Sequence, residues 1–157
     1  MSQEQRTGGL MTALRDAESE SWSCRAAAGR QLAAIAGQEE VAPVLEQLLL
    51  DPHDTGVTQE TAEALLQRRD LAGLRFVLAA LSRAEEWCTA DQLDSEVFNY
   101  QGWMIADGQR DQFVQQLEAL TADEDAGVRE EAMRFLGSSP EAAVPTPVQR
   151  RSADTSG

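Results

Sequence analysis

Lysine is absent from this sequence: all 13 basic residues are arginine, set against 27 acids for a formal net charge of -14. The absence of lysine reads as codon or genome bias. The shortage of positive charge has a physical consequence, because a chain this acidic repels phosphate backbones and is better matched to a basic protein surface than to nucleic acid. Histidine occurs once, at His53, and cysteine twice, at Cys24 and Cys88, with no C-x-x-C pair. These are too few ligands for a metal site, and the cysteines read as reduced thiols, Cys24 as a small buried apolar residue. Also missing are G-x-S-x-G, a glycine-rich phosphate loop and H-E-x-x-H, so neither a catalytic centre nor a cofactor is expected. No run of about 18 apolar residues crosses a membrane, and the opening MSQEQRTGG lacks the basic and apolar regions of a signal peptide, which makes the cytoplasm the expected location. Aromatics are only 5%, which disfavours a β-sandwich of bulky alternating residues.

What is present is apolar content of 42% over 157 residues, enough for one domain with a sizeable core, much of it alanine. A phrase recurs within it. DPHDTGVTQETAEALL at residues 51–66 and DEDAGVREEAMRFL at residues 123–136 each place an acidic turn before an amphipathic helix. Aligned on Cys24, Val57 and Val128, the copies share small residues four positions on (Ala28, Thr61, Ala132) and leucines eight positions on (Leu32, Leu65, Leu136), the one-face spacing of an α-helix. Arg25 and Arg129 match at the following position, where Thr58 stands in the middle copy. The second separation is close to twice the first, so a divergent copy is expected between, over residues 71–108.

Each copy predicts a helix, a short turn and a second helix. First helices are expected over 8–17, 39–50, 71–84 and 109–121, and second helices over 22–36, 56–68, 91–106 and 126–137, with EEWCTADQL as a longer connection in the third copy. Pro43 falls in a first turn, where its missing N–H does no damage. Asp51, Asp54, Asp123 and Asp125 are placed to accept N–H groups at helix starts. The domain is expected over residues 1–137. Residues 138–157, with three of the five prolines and Arg150 and Arg151, are expected to form a flexible tail.

A helix-turn-helix repeat of about 35 residues, with Asp before the second helix and phrases such as GVREEAMRFLG and SWSCRAAAGRQLAAIAG, resembles a HEAT repeat over residues 8–137. The fourth copy matches closely, the first well, the second partly, and the third by spacing alone. The chain is also similar to small HEAT-like proteins of high-GC actinobacteria, of which accessory roles rather than enzymes are typical. The resemblance implies an all-α fold, a short right-handed α-solenoid of about four antiparallel helix pairs, with second helices lining a concave surface that holds extended partners. It also implies structural roles for Arg25 and Arg129, reaching acids of adjacent turns.

Charge then locates a candidate surface. Residues 1–37 hold four acids and four arginines; residues 38–70 hold eight against two, 71–108 six against two, and 109–137 seven against three. Glu60 and Glu63 lie between core positions and are expected to face solvent, as are Glu130 and Glu131 in the last copy. The irregular copy adds Trp87, Glu96, Tyr100 and Trp103, and aromatic anchors within an acidic rim suit an interface with a basic protein or peptide. The alternative is that these rings are bulky filler where alanines are lost. Carboxylate pairs such as Glu85–Glu86 and Asp123–Asp125 read as solvated faces, and His53 as a surface turn residue. The expected function is a non-catalytic protein-binding module, monomeric on its own, in one version an immunity-like or antitoxin-like inhibitor of a cationic protein. The alternatives are a scaffold in a larger assembly, or an enzyme on a HEAT-like frame such as a lyase or glycosylase, which would draw on Asp91, Asp94 or Glu96.

Overall fold

A computed structural model describes residues 3–137, so the segment 138–157 and the tail expected there lie outside the described residues. Eight α-helices and no strand occur among the described residues: α1 (Gln3–Asp16), α2 (Trp22–Ala33), α3 (Ala42–Leu49), α4 (Thr55–Leu66), α5 (Leu71–Arg83), α6 (Trp87–Ala106), α7 (Arg110–Leu120) and α8 (Ala126–Gly137).

Helix starts follow the local chemistry. The side chains of Ser21, Asp54 and Asp70 accept the N–H groups of Cys24, Gly56 and Gly73, and Pro43 sits in the first turn of α3. Two expectations about extent are corrected. α1 starts earlier than expected and carries Gly8 and Gly9 within it. α6 begins at Trp87, so most of the expected EEWCTADQL connection is helix; burial of Thr89 and Leu93 against the core draws these residues into the helix despite their turn-like composition.

One hydrophobic core runs from Ala13 in α1 to Phe135 in α8. Helices within each pair pack on one another, and α2 lies on α4 and α4 on α6. The approach of α2 to α4 depends on Gly29, where a Cβ would overlap the Thr61 hydroxyl. The last pair breaks the row: α8, not α7, makes the broader contact with α5. Gly127 permits this, since a Cβ there would overlap Ser82 of α5. α8 meets α6 through side chains, an edge-to-face contact of Phe98 with Phe135 at 5.4 Å and an ion pair of Asp94 with Arg134.

Of the aligned core positions, Ala28, Leu32, Val57, Thr61, Leu65, Val128 and Ala132 are buried, while Leu136 is half-buried against the core. Cys24 is exposed in the first turn of α2, which corrects its reading as an apolar core residue. Its neighbour Arg25 turns inward instead, because a partner waits there.

Candidate functional site

Three clusters hold most of the polar chemistry. The first lies where the α1–α2 and α3–α4 turns meet. Arg25, with its side chain 10% exposed, donates from Nε to Asp51 Oδ2 at 2.7 Å and from Nη1 to the carbonyls of Ser19 and Glu20. Asp51 also accepts the N–H groups of His53 and Asp54. Burial works against the Asp51 charge, but Arg25 and the two N–H donors outweigh it and hold the carboxyl below the usual aspartate value. A cleft of about 790 Å³ opens over this pair, bordered by Glu18, Glu20, Glu46 and His53. Its central charges, Arg25 and Asp51, are matched to each other, while Glu18 and Glu20 at its rim enter no ion pair among the described residues.

The second cluster joins the α7–α8 turn to α5. Arg75 grips Asp123 with two bonds of 2.8 and 2.9 Å, and Arg83 binds Asp125. Asp123 and Asp125 also accept N–H groups in their turn, while Arg129 donates to the Asp123 carbonyl. These arginines, Arg75 foremost for Asp123 and Arg83 for Asp125, lower both carboxyls despite partial burial. The pair expected to be solvated is therefore a latch between turn and helix. Arg25 and Arg129 act alike in tying down their own turns, and Arg25 alone of the two reaches an acid of the next turn.

The third cluster brings together three of the expected partner residues, Glu60, Glu63 and Glu96. Glu60 and Glu63 of α4 face Glu96 of α6 closely enough to act on its charge. Glu96 is only 3% exposed and is held by Gln92 Nε2 at 2.9 Å. Burial raises its pKa, Gln92 offsets this in part, and Glu63 and Glu60 raise it further. Glu60 is bound by Arg30 of α2, so it is not the bare solvent-facing acid expected. Glu63 is half-buried.

The aromatic expectation divides. Tyr100 is fully buried, its hydroxyl donating to Gln116 Oε1 at 2.8 Å, and Gln116 donates in turn to the Arg69 carbonyl. Its ring meets Phe113 and Trp103 edge-on. Tyr100 and Glu96 are thus corrected from surface to interior: each lies on the buried side of α6, where a phenol or carboxyl is tolerated because a neighbouring amide satisfies it. Trp103 is half-buried beside Tyr100. Trp87 is the opposite case, 79% exposed. On α8, Glu130 is exposed and Glu131 pairs with Arg134.

Sequence reasoning missed Phe98 and Ile105 as surface residues; both are exposed on the side of α6 that carries Trp87. Their helical phase relative to Trp87 was the available signal. No group of His, Cys, Asp and Glu fit to hold a metal ion occurs among the described residues. No helix among them is long and apolar enough to cross a membrane. No protein-family model, curated protein or solved structure matches the chain.

Proposed function

We propose that this chain is a HEAT-like, short right-handed α-solenoid and works as a non-catalytic binding module whose acidic surface holds a basic protein. The observation that carries the reading is the fate of the arginines. All but Arg150 and Arg151 fall within the described residues, and seven are engaged in ion pairs within the fold. Glu18, Glu20, Glu39, Glu40, Glu85, Glu86, Asp91, Glu118, Glu124 and Glu130 are exposed and enter none of these pairs. The remaining surface field is negative and steers cationic partners. The stacking of α2 on α4 and α4 on α6 supports a solenoid over the first three pairs, with the last pair turned against α5.

In its most concrete form the module is an immunity-like inhibitor that covers the working surface of a cationic protein; a scaffold role is the second form. Capture from the source cell on the immobilised chain tests the reading. Retained protein should be basic and should elute as salt rises from about 0.05 to about 0.5 M. Retention of no basic protein at low salt contradicts it. A captured nuclease or toxin whose activity the chain abolishes selects the inhibitor; a captured assembly with unchanged activity selects the scaffold.

A further inference from the structure

One face of α6, beside α8, carries three of the seven large apolar side chains exposed among the described residues. Trp87, Phe98 and Ile105 are exposed by 79%, 46% and 37%. At 100° per residue, Trp87 and Ile105 fall at the same angle and Phe98 within about 20° of them. They form one strip about 27 Å long at ~1.5 Å per residue. Between the three side chains lie Asp91, Asp94, Gln101 and Gly102, with Asp94 on the line of the strip and paired with Arg134; nothing comes within 4 Å of where a Gly102 side chain would start, so a shallow gap lies between Phe98 and Ile105.

Its border is negative. Glu85, Glu86 and Asp91 are exposed and enter no ion pair of the fold. Asp94 and Glu131 share the single guanidinium of Arg134, and Asp107 lies beyond the far end, paired with Arg69. A tryptophan this exposed is an unfavourable surface unless something covers it, and large rings ringed by polar groups are typical binding anchors. A second copy of this chain would bring the same negative border against itself. A straight strip with such a gap matches another helix, one of whose side chains enters it.

Resting on the reading of the chain as an acidic binding module, we propose that the Trp87–Phe98–Ile105 face of α6 docks an amphipathic protein helix whose apolar stripe is bordered by arginines or lysines. The apolar stripe of the partner covers the three side chains, and its cations meet Asp91, Glu85 and Glu86.

The test uses the full chain and a labelled 18-residue peptide of leucine and lysine in helical amphipathic order, beside a scrambled peptide of the same composition, read by fluorescence anisotropy. The ordered peptide should bind at least about tenfold more tightly than the scrambled one. Trp87→Ala and Ile105→Ala, both at exposed positions, should each weaken the ordered peptide by roughly tenfold and leave the scrambled one unchanged. Asp91→Asn should weaken it several-fold more than Glu39→Gln, which removes the same charge from the α2–α3 connection. If both peptides bind with salt dependence and neither Trp87→Ala nor Ile105→Ala alters them, the α6 assignment is overturned while the acidic module stands. If neither peptide binds at low salt, both fail. A dimer in sedimentation that Trp87→Ala dissociates assigns the strip to a second copy and overturns the proposal.

Discussion

Arg25 and Asp51 are a matched, largely buried pair, and removal of either strands the other. Arg25→Ala is expected to destabilise the fold by about 3–5 kcal/mol, the usual cost of a buried charge left alone, whereas joint replacement by apolar residues should cost far less. Urea denaturation of the single and double variants measures this. Glu96 has the opposite character, a carboxyl whose ionised form the fold disfavours. Its folded pKa lies above the ordinary glutamate value of 4.5, so the native state binds this proton more tightly than the unfolded chain. The contribution is fully present below the unfolded value and is lost as pH rises through the folded one. Asp51, Asp70, Asp123 and Asp125 are lowered from 3.8 and work the other way, their stabilisation present above that value and lost as pH falls through their folded values. Within the Glu96 window, which runs upward from 4.5, mild acid should stabilise the wild type. Glu96→Gln should be more stable than wild type at pH about 7 and should lose that part of the pH slope. Urea midpoints across this range in both proteins provide the check, and equal slopes would contradict the account.

At the scale of the helix, α2 against α4 is a contact that a single added carbon disturbs. Gly29→Ala places a Cβ on the Thr61 hydroxyl and should cost about 1–3 kcal/mol through overpacking. Adding Thr61→Ala should recover most of the loss, a coupling that thermal unfolding of the double-mutant cycle can measure. The hydroxyls of Thr58 and Thr61 are buried without a partner, so Thr58→Val should be neutral or stabilising by up to about 1 kcal/mol. Most of these helices were legible before any coordinates, because their apolar positions recur at helical spacing and the turn aspartates mark the starts of the second helices. α6 was not. Val97, Phe98, Tyr100 and Trp103 point in different directions around it, so composition cannot say which ring is buried. Tyr100 goes inside because Gln116 of another helix reaches its hydroxyl, a contact that no local pattern encodes. Arg69 is similar: its positive φ of 58° is held by Gln116 on its carbonyl and by Asp107 and Gln109 on its side chain.

Over the whole molecule the same charges set two salt dependences of opposite sign. Added salt weakens the ion pairs, but those at the surface contribute only about 0–1 kcal/mol each, and Arg25–Asp51 is shielded from solvent. Against this stands a net charge of -14, whose mutual repulsion is screened within about 10 Å at 0.1 M salt. Repulsion between the many unpaired acids is the larger effect, so the melting temperature should rise between about 0.02 and 0.5 M sodium chloride. Tetramethylammonium chloride should give the same rise if the effect is screening rather than sodium binding. Binding of a cationic partner should weaken over the same range, because it is this uncompensated charge that attracts the partner. Circular dichroism melts and binding isotherms on one sample compare the two slopes directly. A melting temperature that falls with salt in both electrolytes would mean that surface ion pairs dominate the field, leaving the acids too well matched to recruit a basic protein.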